Sequence, residues 1–190
     1  MKKEAIIIFL AIFLVACKPA REISDENKAK LEACKDAGNE FDVKNCEYNT
    51  ALQAGYADYC YELPDESDWH TKNDCLIEFA VSQKDESLCY YVKNADKSNE
   101  CFFKAALSSG KVEVCDKIDG EEKRNNCVNE LAIKNNDVGN CNYLYNSSKY
   151  IARNSLSRDN CVYLYINHTG NVKLCKTIQN LQVKGLPLCR

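Results

Sequence analysis

Five sixteen-residue segments of this chain run from one cysteine to the next without a gap between them in the alignment: NCEYNTALQAGYADYC, DCLIEFAVSQKDESLC, ECFFKAALSSGKVEVC, NCVNELAIKNNDVGNC and NCVYLYINHTGNVKLC. Their cysteines stand at 46 and 60, 75 and 89, 101 and 115, 127 and 141, 161 and 175. The interval within a segment never varies. A fixed interval repeated five times marks a structural unit used repeatedly, and it constrains the fold more than any average property does.

Each segment carries the pattern of one short amphipathic helix. Four to six positions past the first cysteine lie small or apolar residues, as in Ala51-Leu52, Phe79-Ala80-Val81, Ala105-Ala106-Leu107 and Leu131-Ala132-Ile133, which share a helical face with the cysteine. Two positions before it stand residues able to cap a helix, Asn73, Asn99, Asn125 and Asp159, and these predict where each helix begins. Nine positions after it stand Gly55, Lys84, Gly110, Asn136 and Gly170, mostly types that accept the left-handed conformation ending a helix. A second, shorter helix is expected around the second cysteine, because Leu63, Val92, Ile118, Leu144 and Ile178 each follow it by three. KLEACKDAGNEFDVKNC supplies the first such short helix, with Cys34 in the equivalent place.

The expected fold class is therefore all-α. Disulfide-clamped helical hairpins with a period of about 26 residues, as from Cys89 to Cys115, would stack as an α-solenoid or curved bundle. Three prolines, at 19, 64 and 187, and seven glycines leave long uninterrupted stretches that suit helix better than a turn-rich sandwich. The tetratricopeptide pattern is missing, so the likeness to helical repeats is one of architecture alone.

Of thirteen cysteines, twelve follow Cys17. Pairing inside a fixed segment would join the start of a helix to a point roughly 12 Å or more away, whereas a disulfide needs Cα atoms within about 7 Å. The other scheme joins each short helix to the long helix after it: Cys34 with Cys46, Cys60 with Cys75, Cys89 with Cys101, Cys115 with Cys127, Cys141 with Cys161 and Cys175 with Cys189. It uses all twelve, and Cys189 staples the C-terminus. Its intervals vary, as hairpin loops do, while the packing helix stays constant. Pairing between successive repeats stays open on the sequence alone. Structural zinc sites bring cysteines two to four residues apart, and no such pair occurs, so neither a metal nor another cofactor is expected.

The N-terminus, MKKEAIIIFLAIFLVAC, has two lysines and then an apolar run from Ala5 to Ala16, too short to span a hydrocarbon core of ~30 Å. Leu14-Val15-Ala16-Cys17 resembles the lipobox of prokaryotic lipoproteins. The resemblance covers residues 1–17 and implies cleavage before Cys17 and lipidation of its thiol. Residues 1–16 are then a signal peptide, 17–28 a lipidated cysteine with a polar tether, and 29–190 a Cys-rich helical repeat domain. An exported chain anchored to the cell membrane or cell surface by lipid on Cys17, and facing an oxidising space, also suits the cysteine count.

With a net charge of -3 and both signs scattered, no basic stripe offers itself to nucleic acid. His70 and His168 are the two histidines. His70 lies in YELPDESDWHTKND beside Trp69, the one tryptophan, and near Asp65, Glu66 and Asp68, a loop able to present an aromatic and carboxylates to a ligand, glycan or cation. Packing of Trp69 against the repeat explains the same residues. Asn146 and Asn167 open glycosylation sequons, the first within a longer interval between Cys141 and Cys161. Tyr56, Tyr59, Tyr61, Tyr90 and Tyr91 gather around successive second cysteines, suited to a protein or glycan partner or to packing on disulfides. No nucleophile elbow, phosphate loop or H-E-x-x-H motif occurs, and the expectation is a non-enzymatic scaffold, with a binding module at residues 61–74 as the alternative.

Overall fold

The computed structural model describes residues 23–64, 70–146 and 155–189. Among them every regular element is helical and no strand occurs. They fall into two compact units, one ending at Tyr59 and the other beginning at Cys60.

In the first unit, α1 (Asp25–Ala33) starts on Ser24, whose side chain accepts the Asn27 N–H. This helix takes in residues 25–28, the last part of the stretch read as tether. It runs into a 3-10 turn, Cys34–Asp36, and α2 (Glu40–Ala54) follows, capped by Asn39. The Cys34–Cys46 disulfide ties the turn to α2, with Cα atoms 5.5 Å apart. Tyr48 and Ala51 face inward on α2, and the Tyr59 ring meets Tyr48 edge-on at 6.5 Å.

The second unit repeats one arrangement. Its long helices are α3 (Lys72–Ser82), α4 (Ala95–Ser109), α5 (Glu121–Lys134) and α7 (Ser155–Thr169), with the four-residue α6 (Tyr143–Asn146) before α7 and α8 (Leu181–Lys184) after it. Helix α3 packs on α4, α4 on α5, and α5 on α7. Between them lie the 3-10 segments Glu86–Tyr91, Val112–Lys117, Val138–Asn142 and Val172–Thr177.

The helix stops are where the sequence places them. Gly55, Lys84, Gly110, Asn136 and Gly170 all adopt positive φ, 69°, 52°, 75°, 50° and 71°. Beyond three of these turns, the N–H groups of Tyr56, Asp85 and Asp137 reach back to the carbonyls of Ala51, Ala80 and Ala132, a Schellman closure of the orphan carbonyls.

The helix starts are corrected. Asn73, Asn99, Asn125 and Asp159 are not caps, since each lies inside its helix. Thr71 caps α3 and Asn94 caps α4, while Gly120 precedes α5 without a side-chain cap. The internal residues instead hold the hairpin shut. Oδ1 of Asn73 accepts the Lys93 N–H at 3.3 Å, Oδ1 of Asn99 the Asp119 N–H at 2.8 Å, and Oδ2 of Asp159 both the Gln179 and Asn180 N–H groups at 2.8 and 2.6 Å. At Asn125 the matching N–H belongs to Tyr145, which lies within α6; Oδ1 of Asn125 is buried without a hydrogen-bond partner among the described residues, while its Nδ2 donates to Ser157 Oγ at 3.5 Å.

All six disulfides follow the loop-closing scheme: Cys34–Cys46, Cys60–Cys75, Cys89–Cys101, Cys115–Cys127, Cys141–Cys161 and Cys175–Cys189. Each closed loop constrains the unfolded chain by on the order of 3 kcal/mol. Six bridges in one helical chain fit an oxidising extracytoplasmic environment. The core around them is made by residues such as Leu76, Phe79, Val128, Leu131, Val162 and Ile166, all at most 1% exposed.

Candidate functional site

The short segments around the second cysteines are 3-10 helices, and their period of three explains which side chains reach solvent. The cysteine and the residue three further on eclipse one another and both turn inward: Cys89 with Val92 and Cys115 with Ile118 are buried pairs. The two residues between must then point away from the core. At Cys60 and Cys89 this places Tyr61, Tyr90 and Tyr91 on the surface, 41%, 62% and 57% exposed.

These outward residues also link one 3-10 segment to the next. Tyr61, one past Cys60, packs edge-on against Tyr91, two past Cys89, with ring centroids 6.0 Å apart. Tyr90, one past Cys89, lies under the Lys117 ammonium at 5.8 Å, and Lys117 is two past Cys115. Asp116, one past Cys115, accepts the hydroxyl hydrogen of Tyr143, two past Cys141, at 2.8 Å. Asn142 and Thr177 continue the register through Arg158, which donates to Asn142 Oδ1 at 3.3 Å and to the Thr177 carbonyl at 2.6 Å. The signal was present in the sequence as complementary chemistry at fixed offsets, but only the 3-10 geometry reveals which offsets meet.

Part of the loop 61–74 adjoins this edge. The Lys72 N–H donates to the Pro64 carbonyl at 3.0 Å, closing the loop at its base, and the Lys72 ammonium stands 4.7 Å from the Tyr61 ring centroid. Thr71 caps α3 through the Asp74 N–H, and its hydroxyl donates to Asp74 Oδ2 at 2.8 Å. Lys97 reaches Asp74 Oδ1 from α4 at 2.8 Å. Burial opposes ionisation of Asp74, but the hydrogen bonds from Lys97 and Thr71 and the charges of Lys97 and His70 outweigh it and hold its carboxyl below the usual range. His70 is half-buried just ahead of Thr71. Asp65, Glu66, Asp68 and Trp69, the remaining ligand candidates, lie outside the described residues, as does Cys17.

No known protein family, curated protein or solved structure matches this chain. Its chemistry has to be read from its own residues.

Asn167 and His168 are exposed near the end of α7, and Asn146 closes α6, the rest of its sequon lying outside the described residues. Among the described residues no group of three or more His, Cys, Asp or Glu side chains could hold a metal ion, and no helix is long and apolar enough to cross a membrane. A shallow cavity of about 360 Å³ between α4 and α5 is lined by Asn99, Phe103 and Ile118 and spanned by the Lys123–Asp96 ion pair at 3.0 Å. Of its other polar groups, Asn99 holds the Asp119 N–H and Glu100 pairs with Lys104. The surface with unusual composition is the tyrosine edge.

Proposed function

We propose that the chain is a non-enzymatic lipoprotein, anchored to the cell membrane or cell surface by lipid on Cys17, whose disulfide-clamped hairpins stack as an α-solenoid or curved bundle and act as an interaction scaffold. The observation that carries this reading is the edge formed by Tyr61, Tyr90 and Tyr91, where large aromatic side chains are exposed on backbone pinned by buried disulfides. Rigid backbone lowers the ordering entropy of such a surface, and tyrosine supplies broad apolar contact with a polar tip. A protein or glycan partner in the envelope or outside the cell is the expected occupant. Lipobox resemblance and cysteine count support the address.

Two measurements test the reading. The intact mass of native protein extracted from membranes, before and after reduction, should give a chain starting at lipidated Cys17 with twelve thiols appearing only on reduction. A photo-crosslinking residue at position 90 should capture a partner that the same residue at the exposed Glu130 of α5 does not. An unprocessed N-terminus would remove the anchor, and equal labelling from position 90 and from position 130, outside the edge, would remove the tyrosine edge.

The alternative, a ligand-, glycan- or cation-binding module at residues 61–74, draws on the closed loop base at Lys72 and Pro64 and the cation held over Tyr61. It requires Trp69 fluorescence to respond to a ligand and the response to vanish in Trp69→Ala.

A further inference from the structure

Two tyrosine pairs meet ring to ring among the described residues. Tyr48 and Tyr59 stand edge-on with centroids 6.5 Å apart, and Tyr61 and Tyr91 edge-on at 6.0 Å and 87°. Separation does not tell the pairs apart, but access does. Tyr48 and Tyr59 are 3% and 7% exposed, whereas Tyr61 and Tyr91 are 41% and 57% exposed. The exposed pair also bridges two hairpins. Tyr61 lies in the 3-10 segment Ala57–Glu62 beside Cys60, and Tyr91 ends the segment Glu86–Tyr91, two past Cys89. The bridges Cys60–Cys75 and Cys89–Cys101, whose cysteines are all 0% exposed, hold the backbone under each ring.

We propose that Tyr61 and Tyr91 form an oxidative coupling site, which a one-electron oxidant of the haem peroxidase class, fed by hydrogen peroxide, joins as a dityrosine crosslink. The oxidant takes one electron from each phenol, and each hydroxyl proton passes to water, leaving two neutral phenoxyl radicals. Unpaired spin lies partly on the ring carbons ortho to oxygen, and one such carbon from each ring pairs its electron in a new C–C bond. The hydrogen on each joined carbon then leaves as a proton while the oxygen regains one, which restores both phenols. Peroxide accepts the two electrons and two protons, its O–O bond breaks, and two waters are released.

Geometry selects this pair. Radicals on separate molecules must find one another by diffusion, whereas rings already in edge contact couple as a single unit. A peroxidase reaches surface rings only, so the buried Tyr48 and Tyr59 are spared despite their similar spacing. Tyr90 is 62% exposed, but its ring meets Phe102 at 5.2 Å and the Lys117 ammonium at 5.8 Å, and neither neighbour is a phenol. Successive residues of a 3-10 helix diverge by about 120°, which turns Tyr90 and Tyr91 toward different neighbours. The crosslink differs in kind from the six disulfides: it ties one hairpin to the next, and thiol reductants do not open it. The inference goes beyond the scaffold reading, for it needs neither the lipid nor a binding partner.

The test treats dilute native protein with a haem peroxidase and limiting hydrogen peroxide, reduces and alkylates the disulfides, and maps crosslinked peptides by tandem mass spectrometry. A Tyr61–Tyr91 crosslink lighter by two hydrogens is expected, with dityrosine fluorescence in the monomer fraction. Tyr61→Phe and Tyr91→Phe should each lower that fluorescence about tenfold, and Tyr90→Phe should leave it unchanged. Crosslinks that run chiefly between molecules or through Tyr90, fluorescence that survives both variants, or no dityrosine after peroxidase treatment overturns the proposal. Mapping on the parent protein decides the matter even where a variant loses its helicity.

Discussion

Asp159 Oδ2 accepts the backbone N–H of Asn180 at 2.6 Å from a side chain that is 0% exposed. The same oxygen takes the Gln179 N–H, and Oδ1 takes the Arg158 guanidinium at 2.6 Å. A carboxylate can be buried at this depth because all its strong acceptor sites face donors. Asp159→Ala strands two backbone N–H groups and takes the carboxylate from the Arg158 guanidinium, and is expected to lower unfolding stability by about 3 kcal/mol. Asp159→Asn keeps an acceptor and should lose less. Urea unfolding of both variants checks the order, which a purely packing role for Asp159 would not produce.

Asn73, Asn99 and Asn125 occupy one position in successive segments but have different partners. Asn99→Ala removes a 2.8 Å bond to the Asp119 N–H and should cost about 1 kcal/mol. Asn125→Ala removes a buried oxygen with no partner among the described residues and a long 3.5 Å bond from its amide nitrogen to Ser157, so its cost should stay below about 0.5 kcal/mol. Equal losses at the two sites, measured by the same denaturation experiment, would contradict this account of the hairpin bond.

Lys84 ends α3 at φ 52° although it carries a Cβ. Lys84→Gly should therefore stabilise the protein by several tenths of a kcal/mol, roughly 0.5. The converse, Gly110→Ala, should cost about 1 kcal/mol. That cost is conformational rather than steric, because the added Cβ would meet Asn135 at an ordinary 3.7 Å. Thermal melts of the two variants should move in opposite directions.

Asp74 should contribute to the acid limb of stability. Its folded pKa lies below its ordinary value, so the stabilisation is fully present above the unfolded pKa of about 4 and is lost as pH falls through the depressed folded value. Its side chain is 35% exposed, so the effect is screened and should weaken with salt. In Lys97→Met the carboxyl should titrate at higher pH, read by carbon NMR of Asp74, and stability should vary less below pH 4. An unmoved titration would show that Lys97 does not control the group.

Legibility divides along the chemistry of the segments. The five helix stops could be read because they stand at one offset from the first cysteine, which even Lys84 obeys against its own preference, and the disulfide scheme because the invariant fourteen-residue spacing is too long a helix to be bridged. The helix starts could not. An asparagine two positions before a cysteine looks like a cap locally, yet its acceptor is used by a backbone N–H twenty residues away, as at Asn73 and Lys93. The real caps, Asn39 and Asn94, stand seven positions before their cysteines and Thr71 four before, outside the offset of two that Asn73, Asn99 and Asn125 share. The tyrosines were visible as a cluster, but their contacts depend on a 3-10 rather than an α-helical period, and short apolar patterns do not distinguish the two. Of the loop candidates, only His70 falls among the described residues.

The bridges join the cysteines after position 17 in consecutive pairs along the chain, over separations of 12 to 20 residues. A polypeptide threaded across a membrane from its N-terminus presents those thiols in that same order. The first partner to emerge is then the native one, and closing so short a loop is fast compared with the oxidation chemistry. Consecutive pairing lets the chain be oxidised in the order of its export, with little need for an isomerase to undo mistaken crosslinks.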